Sequence, residues 1–175
     1  MKTMTLLRHA KAGSDDQVCR DFDRALNAKG RRAAEVMGRH LREVGLHFDH
    51  VIASPAVRVA QTLEAFATGY GAVPAAVEDR RIYLASAETL LEVAQEQQGD
   101  CLLMVGHNPG LEDLVLDLVR DGGGLRDEVA AKYPTASVAQ MTFEGEWADL
   151  AAGCATLVRF VRPRDLDPEL GPDFG

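Results

Sequence analysis

Val51-Ile52-Ala53-Ser54-Pro55-Ala56-Val57-Arg58-Val59-Ala60 runs a short apolar strand, a turn and the opening of a helix together without a break. The first three residues suit a buried strand. Ser54 is a good helix cap, and Pro55 suits a first helical position because its missing N–H would have no partner there. Beyond them Val57, Ala60, Leu63 and Phe66 recur at helical spacing, which predicts one buried stripe.

The same unit occurs twice more. Met4 to Leu7 reads as a strand running into Arg8-His9-Ala10. A polar, irregular stretch over 11–26 follows, and then a helix capped by Asn27 with apolar positions Ala34, Met37, Leu41 and Val44, ended by Gly45. Cys101 to Val105 reads as a third strand. Gly106-His107-Asn108-Pro109 closes it, with Asn108 as cap and Pro109 opening a helix through Leu111, Leu114, Val115 and Leu118. Another helix is expected from Ala87 to Gln97. Gly122-Gly123-Gly124 breaks the pattern, and Ser137 to Phe143 and Ala155 to Val161 read as two neighbouring strands. Strands alternating with helices predict an α/β fold, a three-layer α/β/α sandwich around a mostly parallel sheet.

A chain of 175 residues with 46% hydrophobic and 26% charged side chains fits one globular domain, expected over 1–162. Residues 163–175 carry three prolines and mostly acidic charge, so a mobile tail is expected there. The net charge of −8 and pI near 5.1 argue against broad binding to nucleic acid or anionic lipid. No apolar stretch approaches the ~20 residues of a membrane span. Cys19, Cys101 and Cys154 have no metal-binding or disulfide spacing, so a soluble, cytoplasmic protein is expected.

In an open α/β sheet, ligands bind outside the carboxyl ends of the strands. There the sequence places Arg8 and His9 after the first strand, Ser54 and Arg58 after the second, and His107 and Asn108 after the third. Arginine presents a planar fork of donors suited to phosphate, and helix N-termini add partial positive charge. The expected result is a focused cationic pocket on an acidic protein. His40, His47 and His50 lack that placement and read as surface or helix-end residues.

These residues carry a resemblance. Leu6-Leu7-Arg8-His9-Ala10 resembles the Arg-His motif of the histidine phosphatase superfamily, also called phosphoglycerate mutase-like. Arg24-Ala25-Leu26-Asn27-Ala28-Lys29-Gly30 resembles its Arg-x-Leu-Thr-x-x-Gly segment, Ser54-Pro55 with Arg58 and Thr62 its Ser-Pro-x-x-Arg-x-x-x-Thr segment, and Val105 to Pro109 its second-histidine motif. Ala10 stands where many members have glycine. Short length and the Gly-His-Asn-Pro form resemble the SixA branch, the phosphohistidine phosphatases. The resemblance implies that His9 is the nucleophile that takes the phosphoryl group. It implies that Arg8, Arg58 and His107 hold the phosphoryl oxygens, with Arg24 and Asn108 as further substrate contacts. Neither a metal nor a cofactor is implied.

Family members that act on phosphate esters carry an acid after the second helix. Here the segment reads Arg80-Arg81-Ile82-Tyr83-Leu84, with Glu78, Asp79 and Glu88 out of register. An alkoxide leaves badly without an acid, whereas an imidazole leaving from phosphohistidine can carry its own proton. The expected substrate is therefore a protein phosphohistidine. Two alternatives remain at this level, a broad phosphomonoesterase acting on small phosphorylated metabolites and a module that binds phosphate without turnover.

Overall fold

The computed structural model describes residues 1–13, 19–121 and 123–171. Its centre is a six-stranded sheet of β1 (Lys2–Arg8), β2 (His50–Ala53), β3 (Val77–Glu78), β4 (Cys101–Gly106), β5 (Val138–Phe143) and β6 (Thr156–Val161), in the order β3-β2-β4-β1-β5-β6. Neighbours from β3 to β1 pair in parallel, while β5 runs antiparallel to both β1 and β6, so the sheet is mostly parallel as expected.

Strand pleating decides which helices cover which face. Successive side chains point to opposite sides. Met4, Leu6, Ile52, Leu102 and Met104 therefore share one core with α3 (Ala87–Gln95), α4 (Gly110–Leu118) and α5 (Gly123–Ala131). Leu7, Val51, Ala53, Leu103 and Val105 share the other with α1 (Ala28–Glu43) and α2 (Val57–Tyr70). Helices α1 and α2 approach backbone to backbone. A Cβ on Gly38 would lie 2.1 Å from the Phe66 carbonyl oxygen, and one on Gly69 would lie 2.0 Å from that of Glu35. Only glycine allows this approach.

Several local expectations need correction. Helix α2 begins at Val57 with Ala56 at its cap position, so Ser54 and Pro55 belong to the turn. Helix α4 begins at Gly110, one residue beyond Pro109. The glycine run does not simply end a helix, because Gly123 and Gly124 open α5; Gly122 lies outside the described residues. The two-residue strand β3 carried no legible pattern.

The expected tail divides. Pro163–Leu166 forms α6, and Pro168–Leu170 forms one 3₁₀ turn whose Leu170 is buried in a small core with Ala33 and Ala34. Arg32 of α1 pairs with Asp167 and Glu169. Residues 163–171 are thus docked on α1, while 172–175 lie outside the described residues. Among the described residues no helix is long and apolar enough to cross a membrane.

Candidate active site

The carboxyl ends of β1, β2 and β4 bring Arg8, His9, Ser54 and His107 to one place, and the first turn of α2 adds Arg58. Backbone bonds fix the strand ends against one another: the His9 amide donates to the Gly106 carbonyl at 3.0 Å, and the Ser54 amide donates to that of Val105 at 3.1 Å. The Ala10 amide donates to Thr62 Oγ1 at 2.8 Å, and that hydroxyl donates to the Arg58 carbonyl at 2.6 Å. Thr62 therefore ties the His9 loop to the helix that carries Arg58. Gly30 works similarly from α1, since a Cβ there would meet the Lys11 carbonyl oxygen at 2.2 Å. Gln61 accepts the Leu26 amide at 2.8 Å. Several non-catalytic residues of the four motifs are thus the stitches of one loop cluster.

His9 is 9% exposed, and its Nδ1 lies 2.8 Å from the carbonyl oxygen of Ala10. A carbonyl only accepts, so Nδ1 carries the proton and Nε2 keeps its lone pair. Burial holds the imidazolium form off, aided by the charges of Arg8, His107 and Arg58, and lowers the His9 pKa to about 3. At neutral pH His9 is an uncharged ring with one nucleophilic nitrogen.

His107 lies beside it, with ring centroids 5.3 Å apart. A guanidinium can only donate, so the 3.3 Å contact of Arg58 with His107 Nδ1 makes that nitrogen the acceptor; Nε2–H then donates to Ser54 Oγ at 2.8 Å. Burial, then Arg58, lowers the His107 pKa to about 4. Ser54, expected to be a helix cap, instead fixes the tautomer of His107 while also accepting the Ala56 amide.

The two arginines are the electrostatic centre. Arg8 donates to the Tyr133 carbonyl at 2.8 Å, and Tyr133 in turn donates its hydroxyl to the Leu6 carbonyl at 2.6 Å. Arg58 is 2% exposed and is gripped by Asp21, through its carbonyl at 2.7 Å and its carboxylate at 3.0 Å. The Nε atoms of both Arg8 and Arg58 are buried without a hydrogen-bond partner. A buried donor left unpaired costs ~1–3 kcal/mol, and two such guanidinium donors in one site are of the kind an oxyanion ligand would satisfy.

Asp21, on the 3₁₀ turn Asp21–Asp23, was not singled out by the sequence. Its carboxylate also accepts from Tyr83 at 2.5 Å and from Arg24 at 2.9 Å, and these bonds, Tyr83 first, hold it far below the usual carboxylate range. Asp21 is therefore a permanent anion that positions Arg58 rather than an acid. Tyr83 sets its ring edge against His107 with centroids 5.3 Å apart. Arg24 lines a cavity of about 250 Å³ together with Arg8, His9, Lys11 and Thr135. Asn108 has both ends of its amide engaged, donating to Tyr133 and accepting the Glu112 amide, which is a structural role. Asp79 accepts from Arg81, and Glu78 and Glu88 are exposed outside the pocket. Among the described residues no three His, Cys, Asp or Glu side chains cluster as metal ligands.

A mostly parallel α/β sheet that gathers two histidines, the half-buried Arg8 and the buried Arg58 at the ends of its strands has the makings of an enzyme that handles oxyanions. Comparison narrows this to a family. Residues 4–82 match the model of the histidine phosphatase superfamily, branch 1. The chain is 37% identical over 164 residues to the uncharacterized protein Rv1276c of Mycobacterium tuberculosis, covering 90% of this chain and all of that one. It superimposes with a TM-score of 0.79 and 33% identity on a Nakamurella multipartitia structure provisionally assigned as phosphohistidine phosphatase SixA, covering 93% of this chain and 96% of that one. A provisionally assigned SixA from Agrobacterium tumefaciens gives the same TM-score at 27% identity, covering 93% and 98%. The chain belongs to the histidine phosphatase superfamily, in its SixA-type branch, and is a phosphatase.

Proposed function

We propose that the protein is a metal-independent phosphohistidine phosphatase of the cytoplasm acting on phosphorylated proteins. The observation that supports this most directly is the state of His9, whose ring is neutral, with its proton on Nδ1 donated to the Ala10 carbonyl and Nε2 left with its lone pair, in a site where Arg8 and Arg58 each keep an unpaired buried Nε. In the first step Nε2 attacks the phosphorus of the substrate. A bond forms between His9 and phosphorus while the substrate nitrogen–phosphorus bond breaks, its electron pair returning to the substrate imidazole. That ring leaves neutral when its other nitrogen already bears a proton. Charge on the three transferred oxygens is met by Arg8, Arg58 and His107.

Water completes the cycle by attacking the phosphorus of phospho-His9. The Ala10 carbonyl has kept a proton on Nδ1, so His9 also leaves as a neutral ring, and the proton lost by water passes to the departing phosphate or solvent. Neither half-reaction calls for a carboxylic acid. The carboxylate beside Arg58, that of Asp21, is held ionised and could not serve as one. Phosphoesters do need such a donor, which separates the proposed substrate from phosphomonoesters.

The test measures phosphate release from a histidine-phosphorylated protein and from a panel of sugar and nucleotide monoesters, with His9→Ala and chelator alongside. Release confined to phosphohistidine, absent in His9→Ala and insensitive to chelator, is expected. Comparable turnover of the esters would establish a broad phosphomonoesterase instead. Binding without release from any substrate would leave a phosphate-binding module.

A further inference from the structure

Beside the catalytic pocket lies a second groove, of about 310 Å³, lined by Arg20, Phe22, Pro55, Arg80 and Tyr83. Its walls are the outer neighbours of site residues. Phe22 follows Asp21, Pro55 follows Ser54, and Tyr83 is the ring set against His107. Phe22 and Tyr83 meet edge to face with centroids 5.1 Å apart, giving the groove an aromatic floor.

Three features make it unlike the rest of the surface. Arg81 is bound to Asp79 and Glu96, but the side chain of its neighbour Arg80 has no hydrogen-bond or ion-pair partner among the described residues. Arg20 is 81% exposed, and among the described residues its side chain pairs directly with Asp23 at 2.9 Å. Leu84, directly after Tyr83, is 56% exposed with a φ of 51°, a left-handed conformation that a bulky side chain rarely adopts. An apolar side chain held in solvent by a strained turn is a feature that persists at recognition sites.

We propose that this groove receives the acidic segment flanking the phosphohistidine of a protein substrate. Acidic side chains would meet Arg20 and Arg80, and an apolar neighbour would cover Leu84 and the aromatic pair. The protein as a whole, at −8, repels an acidic partner, so a local cationic rim decides the orientation in which one approaches. The inference rests on the phosphohistidine reading above, and its test keeps the two apart.

Three probes suffice: phosphoimidazole, a synthetic peptide with one phosphohistidine flanked by aspartate, glutamate and leucine, and the same peptide with serine and glutamine in place of the acids. The acidic peptide is expected to show a kcat/KM about fivefold above the neutral one at low salt, mostly through KM, with the gap closing as salt rises. Arg80→Glu should abolish that preference and leave phosphoimidazole within about twofold of wild type. Leu84→Asn, which tolerates the left-handed backbone, should weaken both peptides but not phosphoimidazole. Equal turnover of the two peptides by the wild type, or an Arg80→Glu loss shared by all three probes, overturns the docking proposal alone. Failure to hydrolyse phosphoimidazole overturns the phosphohistidine reading and the docking proposal with it.

Discussion

The active site is assembled from two halves that are held in different ways. Arg8, His9, Ser54 and His107 sit on or directly after strand ends, where backbone bonds to Gly106, Val105 and Ser137 fix them before any side chain acts. Asp21, Arg24 and Tyr83 come from loops and are held by their own side chains, to one another and to Arg58. The strand half carries the proposed nucleophile and is preorganised by the sheet. The loop half carries no reacting atom and orients one guanidinium. Mutations should therefore separate into large losses at the first and graded losses at the second.

The largest expected effect is at the centre of the strand half. His9→Ala should reduce phosphate release to background, by more than about a thousandfold, because no other group can take the phosphoryl. A single-turnover assay with denaturing quench should also fail to trap phosphoprotein. Residual turnover within tenfold of wild type would remove His9 as nucleophile and break the contrast at its root.

The protonation of His9 sharpens the same half. Its folded-state pKa of about 3 lies below the free value near 6.5, so the unfolded chain binds more protons between those pH values. The stability this neutral ring contributes is complete above about pH 6.5 and is lost as pH falls toward 3. An NMR titration of the His9 ring should show no midpoint between pH 5 and 8, and thermal stability should decline as pH falls below about 6.5. A midpoint near 6.5 would mean the ring is solvated rather than buried.

Arg58→Ala removes the guanidinium on which the halves meet and should lower kcat/KM by about a hundred- to a thousandfold, the usual loss for one donor to a developing oxyanion. Asp21→Asn keeps the shape of the side chain but removes its charge, and should cost about tenfold through misplacement of Arg58. The double variant distinguishes positioning from direct contact. If Asp21 acts only through Arg58, the pair should be no worse than Arg58→Ala alone, and full additivity would show that Asp21 meets substrate itself.

The same division explains what could be read from the sequence. The strand half was legible because buried parallel strands are short apolar runs, and polar residues at their ends stand out against them. Arg8, His9, Arg58 and His107 were all marked in this way. Asp21 was invisible because its turn has no periodicity and, Arg24 apart, its partners Arg58 and Tyr83 are 37 and 62 positions away in the chain. Ser54 was seen but misassigned, since a cap and a hydrogen-bond acceptor for histidine call for the same hydroxyl. Helix α5 was hidden by the glycines that begin it, and the docking of residues 163–171 depends on Arg32 and a small alanine-lined core far off in sequence.

Tyr83→Phe should have the smallest effect, and its size decides whether the loop half contains chemistry after all. The substitution keeps the ring edge on His107 and deletes only the hydroxyl, whose proton is already committed to Asp21 at 2.5 Å. Burial, then the Asp21 bond, raises the Tyr83 pKa further above its ordinary value, which makes it a weaker acid. Loss of one hydrogen bond to a carboxylate that keeps Arg24 and Arg58 should change phosphohistidine turnover by about threefold or less. A hundredfold loss would make Tyr83 the proton donor, and the argument that this site favours leaving groups able to depart unaided would then fail. A loss confined to phosphoesters would sharpen the contrast instead, because it would show the loop half supplying a proton only where the leaving group demands one.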